Sequence, residues 1–106
     1  MEILFKTRKL EKQLTEPKAF GQLARKVNQR MKELADADTL AIMRTLPAAR
    51  CHELDGKRKG ELAVNISPNF RLIFQPLNDP IPKKEDGGLN WEEVTTIQIN
   101  EIEDYH

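Results

Sequence analysis

Leu62-Ala63-Val64-Asn65-Ile66-Ser67-Pro68-Asn69-Phe70-Arg71-Leu72-Ile73-Phe74 is the stretch that decides the fold. Leu62, Val64 and Ile66 alternate with Ala63 and Asn65, the period of a strand with one buried face. Ser67-Pro68-Asn69 carries turn chemistry, and Phe70, Leu72 and Phe74 alternate again on the way back. A three-residue turn sets Ile66 opposite Phe70, Val64 opposite Leu72 and Leu62 opposite Phe74. The same register sets Asn65 across from Arg71 on the other face. Arg71 is therefore expected on the side of the sheet that helices leave uncovered, either as a functional cation or as an ordinary solvated strand residue.

Upstream of the hairpin the period is helical. Phe20, Leu23, Ala24, Val27, Met31 and Leu34 form one apolar stripe, predicting a helix from Thr15-Glu16-Pro17 to about Ala35. Thr15 offers a capping hydroxyl and Pro17 suits a first turn. Gly21 inside this helix costs roughly 1 kcal/mol relative to alanine. Asp36 or Asp38 can cap a second helix through Leu40, Ile42, Met43 and Leu46, stopped near Pro47. Before both, residues 1–6 suit a short strand and Arg8 to Leu14 a brief helix.

Downstream, Gln75 to Asn90 contains Pro76, Pro80, Pro82, Gly87 and Gly88 and reads as a mobile excursion between strands, with Trp91 packing at its base. Val94 to Ile99 is β-branched and alternating, a last strand that carries the chain into Glu101–His106. The expected architecture is α+β: an N-terminal strand and two to three helices packed on one face of a mostly antiparallel sheet.

At 106 residues the chain fits a single domain, 1–106. No apolar run is long enough to cross a bilayer, and a single Cys51 allows no internal disulfide, so a soluble cytoplasmic chain without membrane contact is expected. The net charge is zero, but residues 1–61 carry 14 Lys and Arg against 9 Asp and Glu, and residues 62–106 carry 3 against 8. Neutrality argues against a sequence-blind duplex binder, which would be strongly basic.

Three segments carry candidate chemistry. Gly56-Lys57-Arg58-Lys59-Gly60 is either an oligoanion-binding loop or a turn with solvated cations. Arg71 is the second. Asp104-Tyr105-His106 is the third, where a histidine can move a proton beside an orienting carboxylate, or fray as chain ends do. No zinc spacing and no nucleophile elbow occurs. Arginine, lysine, tyrosine and histidine without a metal suit RNA cleavage by attack of a 2′-hydroxyl on its neighbouring phosphate. Each proton transfer contributes roughly 10²–10⁴-fold, and preorganised charge adds to it.

Cys51-His52-Glu53-Leu54-Asp55-Gly56-Lys57-Arg58-Lys59-Gly60, the strand Phe70-Arg71-Leu72-Ile73-Phe74 and the closing Asp104-Tyr105-His106 resemble the plasmid-maintenance killer proteins, the HigB-type toxins of the RelE superfamily. The resemblance covers residues 46–106, with the helical half compatible by pattern. It implies a RelE-like fold, an endoribonuclease cutting messenger RNA on the ribosome, no cofactor, and a helix-turn-helix antitoxin as partner. By resemblance, Arg71 neutralises the phosphorane with Lys59 or Lys57 assisting, and His106 transfers protons with Tyr105 and Asp104 orienting it or the RNA. Lys57, Arg58, Asn65 and the helix cations Arg25, Lys26 and Lys32 would contact RNA. A non-catalytic RNA- or protein-binding module of the same fold is the alternative. The chain departs from the family in being neutral and in its longer excursion after Pro76.

Overall fold

The computed structural model describes residues 1–104; Tyr105 and His106 lie outside the described residues. A five-stranded sheet organises the chain, with strands β1 (Glu2–Phe5), β2 (His52–Glu53), β3 (Leu62–Asn65), β4 (Phe70–Pro76) and β5 (Thr96–Asp104). Their order across the sheet is β1-β5-β4-β3-β2, with β1 parallel to β5 and the other pairs antiparallel. The β3–β4 hairpin pairs Leu62 with Phe74, Val64 with Leu72 and Asn65 with Arg71, as the alternation predicts. Bonds of 3.1 and 3.3 Å between Ser67 and Phe70 close its turn.

The helical half differs from expectation in two places. Helix α1 spans Arg8–Thr15, where the Thr7 hydroxyl accepts from the Leu10 amide at 3.1 Å, and buries Leu10 and Leu14. The long helix predicted through Gly21 is broken there. Pro17–Leu23 is a 3₁₀ segment in which Gly21 takes φ 56° and ψ −120°, and helix α2 begins only at Ala24 and runs to Asp36. The apolar stripe gave no warning, because a 3₁₀ turn keeps residues three apart on one side and so preserves the spacing across the break. The sign of one substitution follows. Gly21→Ala would stabilise a continuous helix, but at positive φ an L-residue is strained. Nothing lies within 4 Å of an added Cβ, so the cost is conformational alone. The expected loss is about 1–2 kcal/mol by urea titration; a gain would contradict the break.

The second predicted helix is also shorter-ranged: two 3₁₀ turns, Leu40–Thr45 and Pro47–Ala49, stand in its place. Neither Asp36 nor Asp38 caps the first turn; Thr39 occupies that position, without a side-chain cap bond. Leu40 and Met43 are nonetheless fully buried, and the Leu40 amide donates to Val94 O at 3.0 Å, tying this segment to the residues just before β5.

Val27, Leu34, Leu40 and Met43 meet Leu62, Val64, Leu72, Phe74, Ile97 and Ile99 in one core between helices and sheet. Burying a side chain of this size contributes about 1.5–3 kcal/mol each. One charged residue is buried among them. Arg30 lies on the α2 stripe between Val27 and Leu34, donating to Asn65 O at 2.6 Å, Ala48 O at 3.1 Å and Glu33 Oε1 at 3.1 Å. It clamps the helix to the end of β3 and to the loop before β2.

The excursion after β4 is held by hydrogen bonds rather than loose. Lys83 bridges Leu89, the Lys84 amide donates to Gly88 at 2.8 Å, and the Asn90 amide donates to Pro82 at 3.0 Å. Trp91 anchors its base as expected. Its ring nitrogen donates to Glu53 at 3.1 Å, and the Arg44 guanidinium stacks 3.7 Å above the ring. Beside it, burial pushes the Cys51 thiol up to about 12, against the opposing charge of Arg44; the thiolate is therefore scarce and the side chain a poor nucleophile.

Strand β5 contains an irregularity that positions the site. Pairing along β4 steps from Ile73–Glu101 to Phe74–Ile99, leaving Asn100 as an extra residue. A bulge of this kind reverses the alternation of the strand beyond it. Before it, Ile97 and Ile99 face the helices. After it Ile102 packs on the core, while Glu101 and Glu103 share the opposite face with Arg71.

Candidate functional site

The uncovered face of the sheet begins from a turn. Gly56–Arg58 forms one 3₁₀ turn, the Leu54 amide closes the loop onto Glu61 O at 2.9 Å, and Gly60, with φ 96°, directs the chain into β3. Lys57 and Lys59 point to solvent as exposed side chains, while Arg58 folds inward. Its guanidinium bridges both sides of β4: Nη1 is 3.2 Å from Glu61, and Nη2 is 2.6 Å from each of Glu101 and Glu103. These bonds span β4 at Ile73, which pairs with Ala63 on one side and Glu101 on the other, and both Ala63 and Ile73 are fully buried. The far face of the sheet is thus partly roofed by the basic loop, where sequence reasoning left it bare.

Arg71 stands beside this roof. Its Nε and Nη2 lie 2.7 and 2.5 Å from the same oxygen, Glu103 Oε1, and its side chain is 20% exposed. Glu103 therefore spans two guanidinia, giving Oε1 to Arg71 and Oε2 to Arg58. Burial alone would raise the Glu103 pKa, but the bonds from Arg71 and Arg58 outweigh it and hold the carboxyl below its usual range. Arg58 is in turn held more firmly protonated, chiefly by its bond to Glu101. Asn100 extends the network, donating to Glu61 at 2.7 Å and Gln75 at 2.9 Å and accepting from Gln98 at 2.8 Å.

Among the described residues, two guanidinia and three carboxylates make this cluster net negative by one charge. Glu61, Glu101 and Glu103 are the residues sequence reasoning missed. The available signal was the phase change from Ile97 and Ile99 to Ile102, which places Glu101 and Glu103 on the side of Arg71.

The remaining expected residues divide by location. Asn65 pairs with Arg71 as expected. Asp104 pairs with Phe70, so β5 ends beside the residue that precedes Arg71; Tyr105 and His106 lie outside the described residues. Arg25, Lys26 and Lys32 are exposed on α2, and Lys32 pairs with Asp36 at 2.8 Å. Helix α2 packs on the covered face, so the sheet stands between these cations and Arg71. Lys59 joins Asp55, Glu53, Ile81, Lys83 and Leu89 around a groove of about 490 Å³ between the basic loop and the excursion. Among the described residues no three His, Cys, Asp or Glu side chains are grouped to hold a metal ion, and no helix is long and apolar enough to cross a membrane.

Solved structures share this fold. A YoeB/ParE toxin from Agrobacterium tumefaciens matches over the whole of both chains with a TM-score of 0.57 at 8% identity. The YoeB–YefM complex from Staphylococcus aureus matches all of this chain and 98% of that one, with a TM-score of 0.59 at 12% identity. YafQ from E. coli covers 97% of this chain and 91% of its own, with a TM-score of 0.55 at 17% identity. The chain has a RelE-like fold. No protein-family model and no curated protein sequence matches it. Within the RelE-like fold, the five-stranded sheet with helices on one face supports the α+β expectation in full.

Proposed function

We propose that this chain, acting as one domain over residues 1–106, is the toxin of a type II toxin–antitoxin pair. In this reading it is of HigB type and works in the cytoplasm as a metal-independent, ribosome-dependent endoribonuclease. The observation that carries the reading is the position of Arg71: on the uncovered face, within a polar cluster, beside the strand end that delivers Asp104. The fold shared with solved toxins supports it.

The chemistry follows from the groups. A base removes the 2′-hydroxyl proton, the oxygen attacks the adjacent phosphorus, and the 5′-oxygen leaves with a proton from an acid. The products are a 2′,3′-cyclic phosphate and a 5′-hydroxyl. His106 transfers these protons, with Tyr105 and Asp104 orienting it or the RNA. Arg71 stabilises the doubly charged phosphorane, where positioned charge acts most strongly, and Lys59 or Lys57 assists. Lys57, Asn65 and the α2 cations contact RNA away from the reacting phosphate. The partner that holds the toxin inactive is a helix-turn-helix antitoxin; the YoeB–YefM and DinJ–YafQ complexes, solved with the same fold, support an antitoxin partner.

A second reading has its own observation. Carboxylates match the guanidinia of the cluster, as a non-catalytic RNA- or protein-binding module would allow. Incubating purified protein with a translated message and mapping 5′ ends by primer extension separates the two. The nuclease gives new ends only when ribosomes are present. The binding module gives stoichiometric inhibition and no new ends.

A further inference from the structure

Glu103 has an unusual position for a surface carboxylate. One of its oxygens accepts both Nε and Nη2 of Arg71, at 2.7 and 2.5 Å, while the other accepts Nη2 of Arg58 at 2.6 Å. A phosphodiester also presents two anionic oxygens on one centre, and a guanidinium edge receives either group through the same pair of N–H donors. Arg58 does not depend on Glu103 for its place, because Glu61 and Glu101 hold it from both sides of β4.

We propose that Glu103 is a built-in occupant of a phosphodiester site. Its carboxylate fills the Arg71 edge in the free protein and yields it to an incoming RNA phosphate by turning wholly onto Arg58. The inference rests on the nuclease reading for the identity of the ligand. Arg58 is what makes the exchange feasible: the displaced carboxylate keeps a cation beside it, so no half-buried charge is stranded when the phosphate arrives.

The arrangement also selects how the substrate is presented. Free RNA must compete with a carboxylate tethered at the site, whose effective concentration is high. RNA already held in place brings its phosphate at a comparable effective concentration and displaces the carboxylate. Glu103 therefore discriminates against free single-stranded RNA, and Arg58 is a positioning residue for the exchange.

The test uses a short single-stranded RNA with 2′-O-methyl groups, which binds but cannot react, and reads affinity by fluorescence anisotropy. Glu103→Gln and Glu103→Ser are each expected to bind it about ten-fold more tightly than the wild type, the scale of one charge-assisted contact. The gain should disappear when Arg71→Met is added. Variants that melt cooperatively yet bind no tighter than the wild type would overturn the proposal. So would a gain that persists without Arg71, which would reflect a lost negative charge alone. Ribosome-dependent cleavage by the wild type, mapped separately, keeps the two readings apart. Cleavage without a Glu103 effect removes the built-in occupant and leaves the nuclease. An Arg71-dependent gain without cleavage leaves the phosphodiester site and removes the reaction.

Discussion

Arg71→Ala is expected to abolish the growth arrest caused by induced expression and to lower ribosome-dependent cleavage by about 10²–10³-fold. The reasoning starts from where charge develops. The phosphorane carries one more negative charge than the ground state, so a guanidinium fixed beside it stabilises the transition state more than the substrate. The hairpin register places Arg71 on the uncovered face, and its bonds to Glu103 hold its orientation in the free protein. Arg71→Lys should recover little, because an ammonium cannot present the paired Nε and Nη2 edge. Removal of His106 should give a loss of similar scale through the proton transfers, roughly 10²–10⁴-fold. The measurements are colony growth after induction and primer extension on a translated message. Arrest by Arg71→Ala equal to the wild type would remove Arg71 from the reaction.

The second large effect concerns stability. Arg30→Met is expected to destabilise the chain by about 2–3 kcal/mol, read as a lower urea midpoint, with a fall in Tm of about 10–20 °C. The methionine keeps most of the apolar stem in place. It removes three donors, leaving the carbonyls of Asn65 and Ala48 and the Glu33 carboxylate without the bonds Arg30 makes at 2.6, 3.1 and 3.1 Å. Partly buried acceptors stripped of a charged donor bear a desolvation cost that the apolar gain does not offset. Because Asn65 pairs with Arg71, a loosened Arg30 clamp acts on the strand beside the site. A methionine variant as stable as the wild type would show that the clamp adds nothing net.

The two halves of the chain were unequally legible. The β3–β4 register could be read directly, because a period of two on both strands and a three-residue turn leave one pairing that buries every apolar residue together. The helical half was read with the correct buried side but the wrong continuity: Val27 and Leu34 do face the core, yet the rod through Gly21 is broken. Helical periodicity reports which residues are buried, and it is insensitive to a turn that keeps that side in phase. Arg30 was legible in principle as a charge at a stripe position three after Val27 and four before Leu34. The carboxylates were not read because the last strand was followed with a single alternation, which its own isoleucines violate. The basic loop was read as solvated or ligand-facing as a unit, whereas Lys57 and Lys59 point outward and Arg58 inward, a division that spacing does not encode.

The extra residue at Asn100 has a consequence for how the gene can change length. Delete that one codon and β5 returns to plain alternation: Glu101 stays opposite Ile73 and Ile102 stays opposite Leu72, and what is lost is the Asn100 amide that joins Glu61 to Gln75. Insertions and deletions are therefore segregated along the chain. The span between Pro76 and Trp91 can grow or shrink at its tip, while the closing strand can give up a residue at its bulge without a change of register.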